Sequence, residues 1–109
     1  MGKFEINTDT SDKYRFNLKA TNGQVILSSQ GYTTKSACEN GIDSVKKNIQ
    51  DDEMFERNTA KDGSPFFNLK SSNGQVIGTS EMYSSTSAME TGIASVKSNA
   101  PDAAIVDNS

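Results

Sequence analysis

The sequence predicts an α+β fold of two tandem β-β-β-α repeats with pseudo-two-fold symmetry, in which the helices pack on an antiparallel sheet. The first observation behind this prediction is that the chain repeats itself at an offset of 51 residues (74 − 23), with 20 identities in 33 between positions 16–48 and 67–99. The other two observations are that, in each copy, apolar and polar residues first alternate as in a strand, and apolar residues then recur at the spacing of a helix. Such a repeat indicates one supersecondary unit per copy, which needs its neighbour to cover its apolar face.

The repeat also predicts how the chain is divided. A chain of 109 residues has the usual size of one domain, whereas a single copy of about 50 residues would have a marginal core. We therefore expect one compact domain, with the first repeat at 1–50, the second at 51–100 and a C-terminal tail at 101–109. The same offset aligns the tail with the opening strand of each copy, so the tail is either an extra strand or a disordered acidic segment. Since the two copies can cover each other, we expect a monomer that contains an internal pseudo-dimer.

The first half of each copy has the pattern of strands and a hairpin. Residues 3–7 alternate apolar with polar side chains, and residues 14–20 do so more strictly. Asn22-Gly23 lies between two β-like runs and is a strong hairpin signal, because both residues tolerate the positive φ of a type I′ turn. A two-residue loop would pair Leu18 with Leu27, whereas a three-residue loop with a Gly bulge would place Ile26 on the core face. The sequence leaves both registers open.

The second half of each copy has the period of a helix. Thr33 or Thr34 can cap the first helix and Ser84 or Ser85 the second, while Asn48 can close the first helix in a left-handed conformation. Each helix has a narrow apolar stripe, formed by Ala37, Gly41, Ile42 and Val45 in one copy and by Ala88, Gly92, Ile93 and Val96 in the other.

A glycine stands at the same place in both helical stripes, at Gly41 and Gly92. Glycine inside a helix costs about 1 kcal/mol relative to alanine, so a close approach by another group is the expected compensation. That group belongs either to the sheet beneath or to the helix of the other copy, and we favour the sheet because each helix has its own hairpin to cover.

Composition excludes several classes of protein. A net charge of −3 and a pI near 4.8 argue against general binding to nucleic acids or anionic membranes, which rests on clustered Lys and Arg. No run approaches the ~18–20 apolar residues of a membrane span, and the first residues begin no apolar signal sequence. We therefore expect a soluble cytoplasmic protein with neither nucleic acid nor membrane as a partner.

Little in the sequence indicates catalysis. The chain contains no His, so the usual general base and the commonest metal ligand are both missing. Cys38 is the only cysteine and its counterpart is Met89, which indicates a packing position. Asp9, Asp12 and the acidic run at 51–53 lack the alternating ligands and central Gly of a calcium loop. We expect no cofactor, no metal site and no catalytic residue.

The duplicated polar residues of the two hairpins are the candidates for a functional site. We expect them to form a polar strip on the sheet, on the face away from Phe16 and Phe67, where cross-strand hydrogen bonding and edge protection would also account for them. The strip consists of Asn17, Lys19 and Gln24 in the first copy and Asn68, Lys70 and Gln75 in the second.

The motifs of the two copies resemble those of the YegP-like family, a group of small bacterial and archaeal proteins. They are the K-F-E-I opening, the F-x-L-K-A/S-x-N-G-Q-V-I hairpin, the Y-[ST]-[ST]-x-S-A-x-E-x-G-I-x-S-V-K helix and the closing N-A-P-D-A. The resemblance spans essentially the whole chain and implies a β-β-β-α repeat fold without an assigned activity. Two departures are Arg57, where the first copy has Ile6, and Pro65, where it has Tyr14. Because Pro65 removes a ladder donor, we expect the start of its strand at an edge or bulge.

Two classes of function remain. The favoured one is a small interaction or binding module without catalytic activity, which would bind a protein or peptide through the sheet surface or an exposed strand edge. The alternative is an enzyme or accessory factor with an unrecognised site, for example one that uses Lys19, Lys70 or Cys38.

Overall fold

A computed structural model describes residues 2–109 of the chain. It contains seven strands and two α-helices in these residues. They are β1 (Lys3–Thr8), β2 (Tyr14–Lys19), β3 (Val25–Ser28), α1 (Lys35–Asn48), β4 (Phe55–Thr59), β5 (Pro65–Lys70), β6 (Val76–Thr79), α2 (Thr86–Asn99) and β7 (Ala104–Asp107). A short 3₁₀ helix at Asp52–Met54 precedes β4.

All the strands form one sheet in the order β4-β5-β6-β3-β2-β1-β7. Neighbouring strands are antiparallel except β1 and β7, which are parallel. Ser28 lies opposite Thr79 where β3 meets β6, and these residues are equivalent at the 51-residue offset, so the pseudo-two-fold axis passes between them. The predicted α+β class and the tandem β-β-β-α repeats are confirmed.

Both helices cover the same face of the sheet. α1 packs against β2, β5 and β6, and α2 packs against β3 and β5. The core lies between the layers and includes, from the strands, Phe4, Ile6, Phe16, Leu18, Leu27, Phe55, Phe67 and Leu69 and, from the helices, Cys38, Ile42, Val45, Met89, Ile93 and Val96. The other face of the sheet is left open to solvent.

The hairpin between β2 and β3 has the three-residue loop. Ala20 N donates to Gln24 O, and Gly23 has a φ of +85°. Leu18 pairs with Leu27, and the register shifts before the next pair. Because this bulge inserts an extra residue into β3, both Ile26 and Leu27 are buried.

The helix caps follow the sequence, but the predicted left-handed end of α1 is wrong. Thr34 caps α1 and Ser85 caps α2, each accepting a hydrogen bond from the backbone N–H three residues on. Asn48 is still helical, and the next residue, Ile49, has a φ of −64°. The Asn48 side chain instead donates back to Ser44 O at 2.8 Å, so its amide is used within the helix.

The group that covers each helical glycine is a tyrosine side chain. A Cβ added at Gly41 would lie 2.9 Å from Cζ of Tyr32 and 3.0 Å from Cε2 of Phe16 in β2. A Cβ added at Gly92 would lie 2.6 Å from Cζ of Tyr83. The expected sheet contact is therefore present only through Phe16, and the main contact comes from the tyrosine that precedes the helix.

A leucine and a glycine fit together beside the pseudo-two-fold axis. Leu27 and Gly78 are equivalent positions of the two copies. A Cβ at Gly78 would lie 2.7 Å from Cγ of Leu27. One leucine side chain therefore fills the space that two symmetric side chains would have to share.

In each copy, the hydroxyl of a buried serine accepts a hydrogen bond from a strand N–H group. Ser29 Oγ accepts a hydrogen bond from Phe16 N at 2.9 Å and donates one to the next carbonyl, Gln30 O, at 2.8 Å. Ser80 makes the same two bonds in the second copy, to Phe67 N and Glu81 O. The hydroxyl thus satisfies a strand N–H that would otherwise be buried without a partner.

The expectation that Pro65 marks an edge or bulge is wrong, because β5 is an interior strand and Pro65 is its first residue. In the first copy, Tyr14 N donates to Tyr32 O and Tyr32 N donates to Tyr14 O, both at 2.7 Å. In the second copy, Tyr83 N donates to Pro65 O at 2.8 Å. The proline therefore costs the second copy one of these two bonds.

Candidate functional site

A row of directly paired residues crosses the open face of the sheet. Asn17 lies between the buried Phe16 and Leu18 in β2, so its side chain lies on the open face. Successive cross-strand pairs extend from it in both directions through all seven strands. From β4 to β7, this cross-sheet row is Glu56, Asn68, Thr79, Ser28, Asn17, Glu5 and Val106.

The lysines of the predicted strip are neutralised on this face. Lys19 Nζ lies 2.9 Å from Glu5 Oε1, and Lys70 Nζ lies 2.7 Å from Glu56 Oε2. Lys70, and then the amides of Asn58 and Asn68, lower the pKa of Glu56 from its ordinary value near 4.5 to about 2. The open face therefore carries internal ion pairs and hydrogen bonds rather than a positive patch.

Gln24 lies apart from the other strip residues. The structure places Asn17, Lys19, Asn68 and Lys70 on the open face. Gln24 instead lines an open pocket of about 450 Å³ between the first hairpin and α2, so its predicted place on the open face is wrong. Gln24 pairs with Ala20 across the hairpin, and the alternation of β2 puts Ala20 on the helix side. The other residues that line this pocket are Ala20, Asn22, Ile26, Tyr83, Ala88, Thr91, Gly92 and Ser95. Gln75 occupies the equivalent turn of the second copy, where its carbonyl accepts from Ser71 N.

The glutamates that bind the strip lysines were not recognised in the sequence. Glu5 and Glu56 are identical at the 51-residue offset, and each follows a phenylalanine at the start of its copy. That duplication was the available signal. It did not identify a contact with the lysines, because the contact depends on the pairing of β1 with β2 and of β4 with β5.

The lowered pKa of Glu56 predicts a loss of stability in acid. A carboxylate with a lowered folded-state pKa stabilises the fold above its unfolded pKa, and this contribution is lost as the pH falls from about 4.5 to about 2. We expect Glu56→Gln to lower the free energy of unfolding near pH 6 and to make its decline toward about pH 3 shallower, as measured by urea denaturation. Glu53→Gln removes the same charge at an exposed position nearby and serves as the control. If the free energy of unfolding declined equally steeply with falling pH in the parent and in Glu56→Gln, the prediction would be contradicted.

Cys38 is separated from the lysines by the thickness of the sheet. Its side chain is fully buried in the core beneath α1. Burial raises the pKa of the Cys38 thiol to about 11, which keeps it protonated. The three residues named as examples for an enzyme or accessory factor, Lys19, Lys70 and Cys38, therefore do not form one site.

We expect Cys38 to react with a soluble thiol reagent about a hundredfold more slowly than a cysteine in an unstructured peptide, because the thiol reacts only after the core opens. The rate is measured by mass spectrometry near pH 8, and the same chain in denaturant provides the reference. Native labelling faster than that of the peptide would contradict the prediction and favour a reactive thiol.

The two ends of the sheet differ although they begin from equivalent strands. At one end, β7 adds to β1 in parallel, with Ile105 beside Phe4 and Asp107 beside Ile6. Asn108 N donates to Ile6 O at 2.8 Å. Lys35 Nζ lies 2.8 Å from Asp107 Oδ2, and this lysine, followed by Ser109, lowers the pKa of Asp107 to about 2.

At the other end, β4 has no strand on its outer side within residues 2–109. Arg57, the counterpart of Ile6, instead contacts Glu90 of α2 through Nε at 2.6 Å and Nη2 at 3.1 Å. It also contacts Asp52 through Nη1 and Nη2, and Lys97 lies 2.9 Å from Asp52. Glu90, and then Asp52, raise the pKa of Arg57, so the guanidinium is a fixed positive charge beside this edge.

Two further kinds of site are not found in the described part of the chain. No group of three or more Cys, Asp or Glu side chains is placed to hold a metal ion. Neither helix has the length and apolar character needed to cross a lipid bilayer. Asp9 instead stabilises its turn, since it accepts hydrogen bonds from Ser11 N, Lys13 N and Arg15 Nε.

The fold and the duplicated open face define a class of small two-layer proteins in which a tandem repeat completes one sheet. A model of the domain of unknown function DUF1508 matches the chain twice, over residues 9–56 and 60–107. The chain therefore belongs to the DUF1508 family of UPF0339 and YegP proteins, as the resemblance of its motifs implied.

Relatives in several bacteria match over almost their full length. The UPF0339 protein in the ptx operon 5′ region of Stutzerimonas stutzeri is 51% identical, with 97% of this chain and 96% of the relative covered. YegP of Escherichia coli K12 is 46% identical, with 98% and 97% covered. The solution NMR structure of E. coli YegP, described as a protein of unknown function, has a TM-score of 0.93, covering 98% of this chain and 92% of that one. The solution NMR structure of a UPF0339 protein from Shewanella oneidensis has a TM-score of 0.92 at 46% identity, covering 97% and 90%.

Proposed function

We propose that this protein is a binding module without catalytic activity, which accepts an extended segment of a protein or peptide partner as an added strand on β4. The carrying observation is that β1 and β4 are equivalent strands, and the outer side of β1 pairs with β7. The outer side of β4 presents the equivalent backbone, except that the Phe55 N–H already donates to Asp52 O of the 3₁₀ helix. Strand addition to such an edge gives affinity through main-chain hydrogen bonds.

The open face supports this proposal less well than the edge does. Its lysines are paired with Glu5 and Glu56, and Thr79 Oγ donates to Asn68 Oδ1 at 2.8 Å. A partner on this face would have to replace bonds that already exist. The strand edge instead offers backbone groups, which a partner strand can pair without breaking side-chain contacts.

Backbone geometry identifies which groups a partner strand would use. Ile6 O accepts from Asn108 N on the outer side of β1, so Phe4 and Ile6 point their backbone groups outward in the antiparallel pair with β2. Their counterparts in β4 are Phe55 and Arg57. The Phe55 N–H already donates to Asp52 O, so Phe55 offers a partner strand only its carbonyl. Glu56 lies between Phe55 and Arg57 and points its backbone groups toward β5.

The proposal is tested with peptides of about eight residues, selected from a random displayed library on the full-length chain. For a selected peptide, we expect the amide hydrogen of Arg57 to become protected from exchange in NMR spectra, whereas the Phe55 N–H already donates to Asp52 O. The Glu56 amide, already on the inner side of the strand, is the internal control. Recovery of no peptide that protects the Arg57 amide, or protection confined to the cross-sheet row, would overturn the proposal.

We also propose that the protein acts as a monomer and does not bind nucleic acid. Single-strand platforms need several aromatic rings in a basic groove, whereas Phe16 and Phe67 are buried under the helices. The alternation of β5 places one ring, Phe66, on the open face beside Asn58. We expect no binding to mixed-sequence oligonucleotides tighter than about 100 μM at physiological salt. Low-micromolar, salt-sensitive binding in fluorescence anisotropy, abolished by Lys19→Glu with Lys70→Glu, would contradict this.

A further inference from the structure

We propose that the segment accepted by β4 runs parallel to it and carries an aliphatic residue followed, two positions later, by an acidic one. This inference rests on the proposed function and deepens it by naming the partner's chemistry. The aliphatic side chain would lie beside Phe55 and the acidic side chain beside Arg57. The chain's own segment Ala104–Asp107 has this pattern.

The register of β7 on β1 provides the template. Phe4 pairs with Ile105, Glu5 with Val106 and Ile6 with Asp107. Transferred by the 51-residue offset, the same register sets an aliphatic residue against Phe55 and an acidic residue against Arg57. Directly paired residues have side chains on the same face. Phe55 and Arg57 alternate with Glu56, so both partner residues would lie on the helix side.

The charges on the helix side fit an acidic residue at both ends of the sheet. At β1, the cation that meets Asp107 is Lys35, the first residue of α1. Its counterpart at the start of α2 is Thr86, so that cation is absent from the second copy. The second copy instead has Arg57 where the first has the apolar Ile6. A cationic side chain is thus kept at the equivalent position, supplied by β4, although Glu90 and Asp52 balance the charges of Arg57 and Lys97 there.

Arg57 retains a donor for this contact. A guanidinium has five N–H groups in a fixed plane. Within the described residues, Arg57 makes four hydrogen bonds, two to Glu90 and two to Asp52. One N–H of Nη1 is left, and the side chain is a third exposed. A carboxylate on an added strand can take this donor without displacing Glu90.

The inference is tested with a synthetic peptide of residues 103–109 (AAIVDNS) added to the labelled full-length chain. We expect the amide signals of Phe55–Thr59 to shift and the binding curve to depend on the peptide's acidic residue. In the peptide, Asp107→Lys should weaken binding about tenfold, because an opposite charge beside Arg57 becomes a like charge. The reversed sequence, SNDVIAA, should not bind at the same site.

Charge exchange assigns the acidic contact to Arg57. Arg57→Glu should weaken binding of the parent peptide and favour the Lys-substituted one. Arg15→Glu makes the same charge change on β2 in the other half of the sheet, and should leave both affinities unchanged. If Arg57→Glu fails to fold, the two peptides still measure the preference on the parent chain.

The outcomes separate this inference from the proposed function. Library peptides that protect the Arg57 amide but lack the aliphatic and acidic pattern would overturn the inference and leave the function standing. Equal affinity for the parent and Lys-substituted peptides would do the same. Shifts at Lys3–Thr8 would show that the peptide replaces β7 on β1, and would also overturn the inference. If neither the library nor this peptide reaches β4, both proposals are wrong.

Discussion

Gly78→Leu is expected to lower the free energy of unfolding by about 3 kcal/mol, at the upper end of the usual cost of an overpacked core. The added Cβ would lie 2.7 Å from Cγ of Leu27 and 2.8 Å from its Cδ2. Leu27 is fully buried, with Leu18 opposite, so it has no free volume into which to move. Urea denaturation, which reports the free energy of unfolding directly, is the measurement.

Exchanging the two residues should restore much of this loss. Leu27→Gly alone leaves a cavity, with a cost comparable to the ~2–5 kcal/mol of other large-to-small core changes. With Leu27→Gly and Gly78→Leu together, one leucine again occupies the space beside the pseudo-two-fold axis, now from β6. We expect a favourable coupling free energy of about 2 kcal/mol in the double-mutant cycle. Additive effects would show that the two positions do not share that space.

Gly92→Leu is expected to lower the free energy of unfolding by about 2 kcal/mol, although helix propensity alone would favour leucine by roughly 0.8 kcal/mol. The tyrosine ring of Tyr83 occupies the required volume. The equivalent change, Gly41→Leu, meets both Tyr32 and Phe16 and should be at least as damaging. Thermal and urea denaturation of both variants test these expectations.

The tyrosine is shown to be the cause by removing it. In a Tyr83→Ala background, Gly92→Leu should be neutral or stabilising, since the leucine then fills the space left by the ring. Ala94→Gly, on the exposed face of the same helix, measures the propensity cost of a glycine without a packing contact. A melting temperature raised by Gly92→Leu in the parent chain would show that the glycine is not needed for this contact.

The main elements could be predicted because their signals are local and occur twice. The alternation at 14–20 and the period of the helical stripes each specify one buried face, and the offset of 51 residues indicates the same unit in both copies. The hairpin register could not be predicted, because it depends on the bulge between β2 and β3. That bulge buries both Ile26 and Leu27, whereas each of the two registers that the sequence leaves open places only one of them in the core.

The candidate site could be predicted only in part, since its contacts join distant residues. Asn17, Lys19, Asn68 and Lys70 were placed on the correct face by alternation. Their glutamate partners depend on strand pairing, and Gln24 turns to the helix side where the loop meets α2. Ser29 and Ser80 resemble ordinary turn residues in the sequence, yet each supplies a hydrogen bond to a buried strand. Composition alone does not distinguish these two uses of serine.

The single added strand has a consequence for valency. Two identical repeats related by a perfect two-fold axis would present two identical edges, and a strand-binding partner could join them both in a 1:2 complex. Because β7 pairs with β1 and not with β4, one of these equivalent edges is already occupied. A segment of the kind proposed for β4 would therefore meet this backbone once per chain, so the expected stoichiometry is 1:1 and one chain would not join two copies of that partner through equivalent edges.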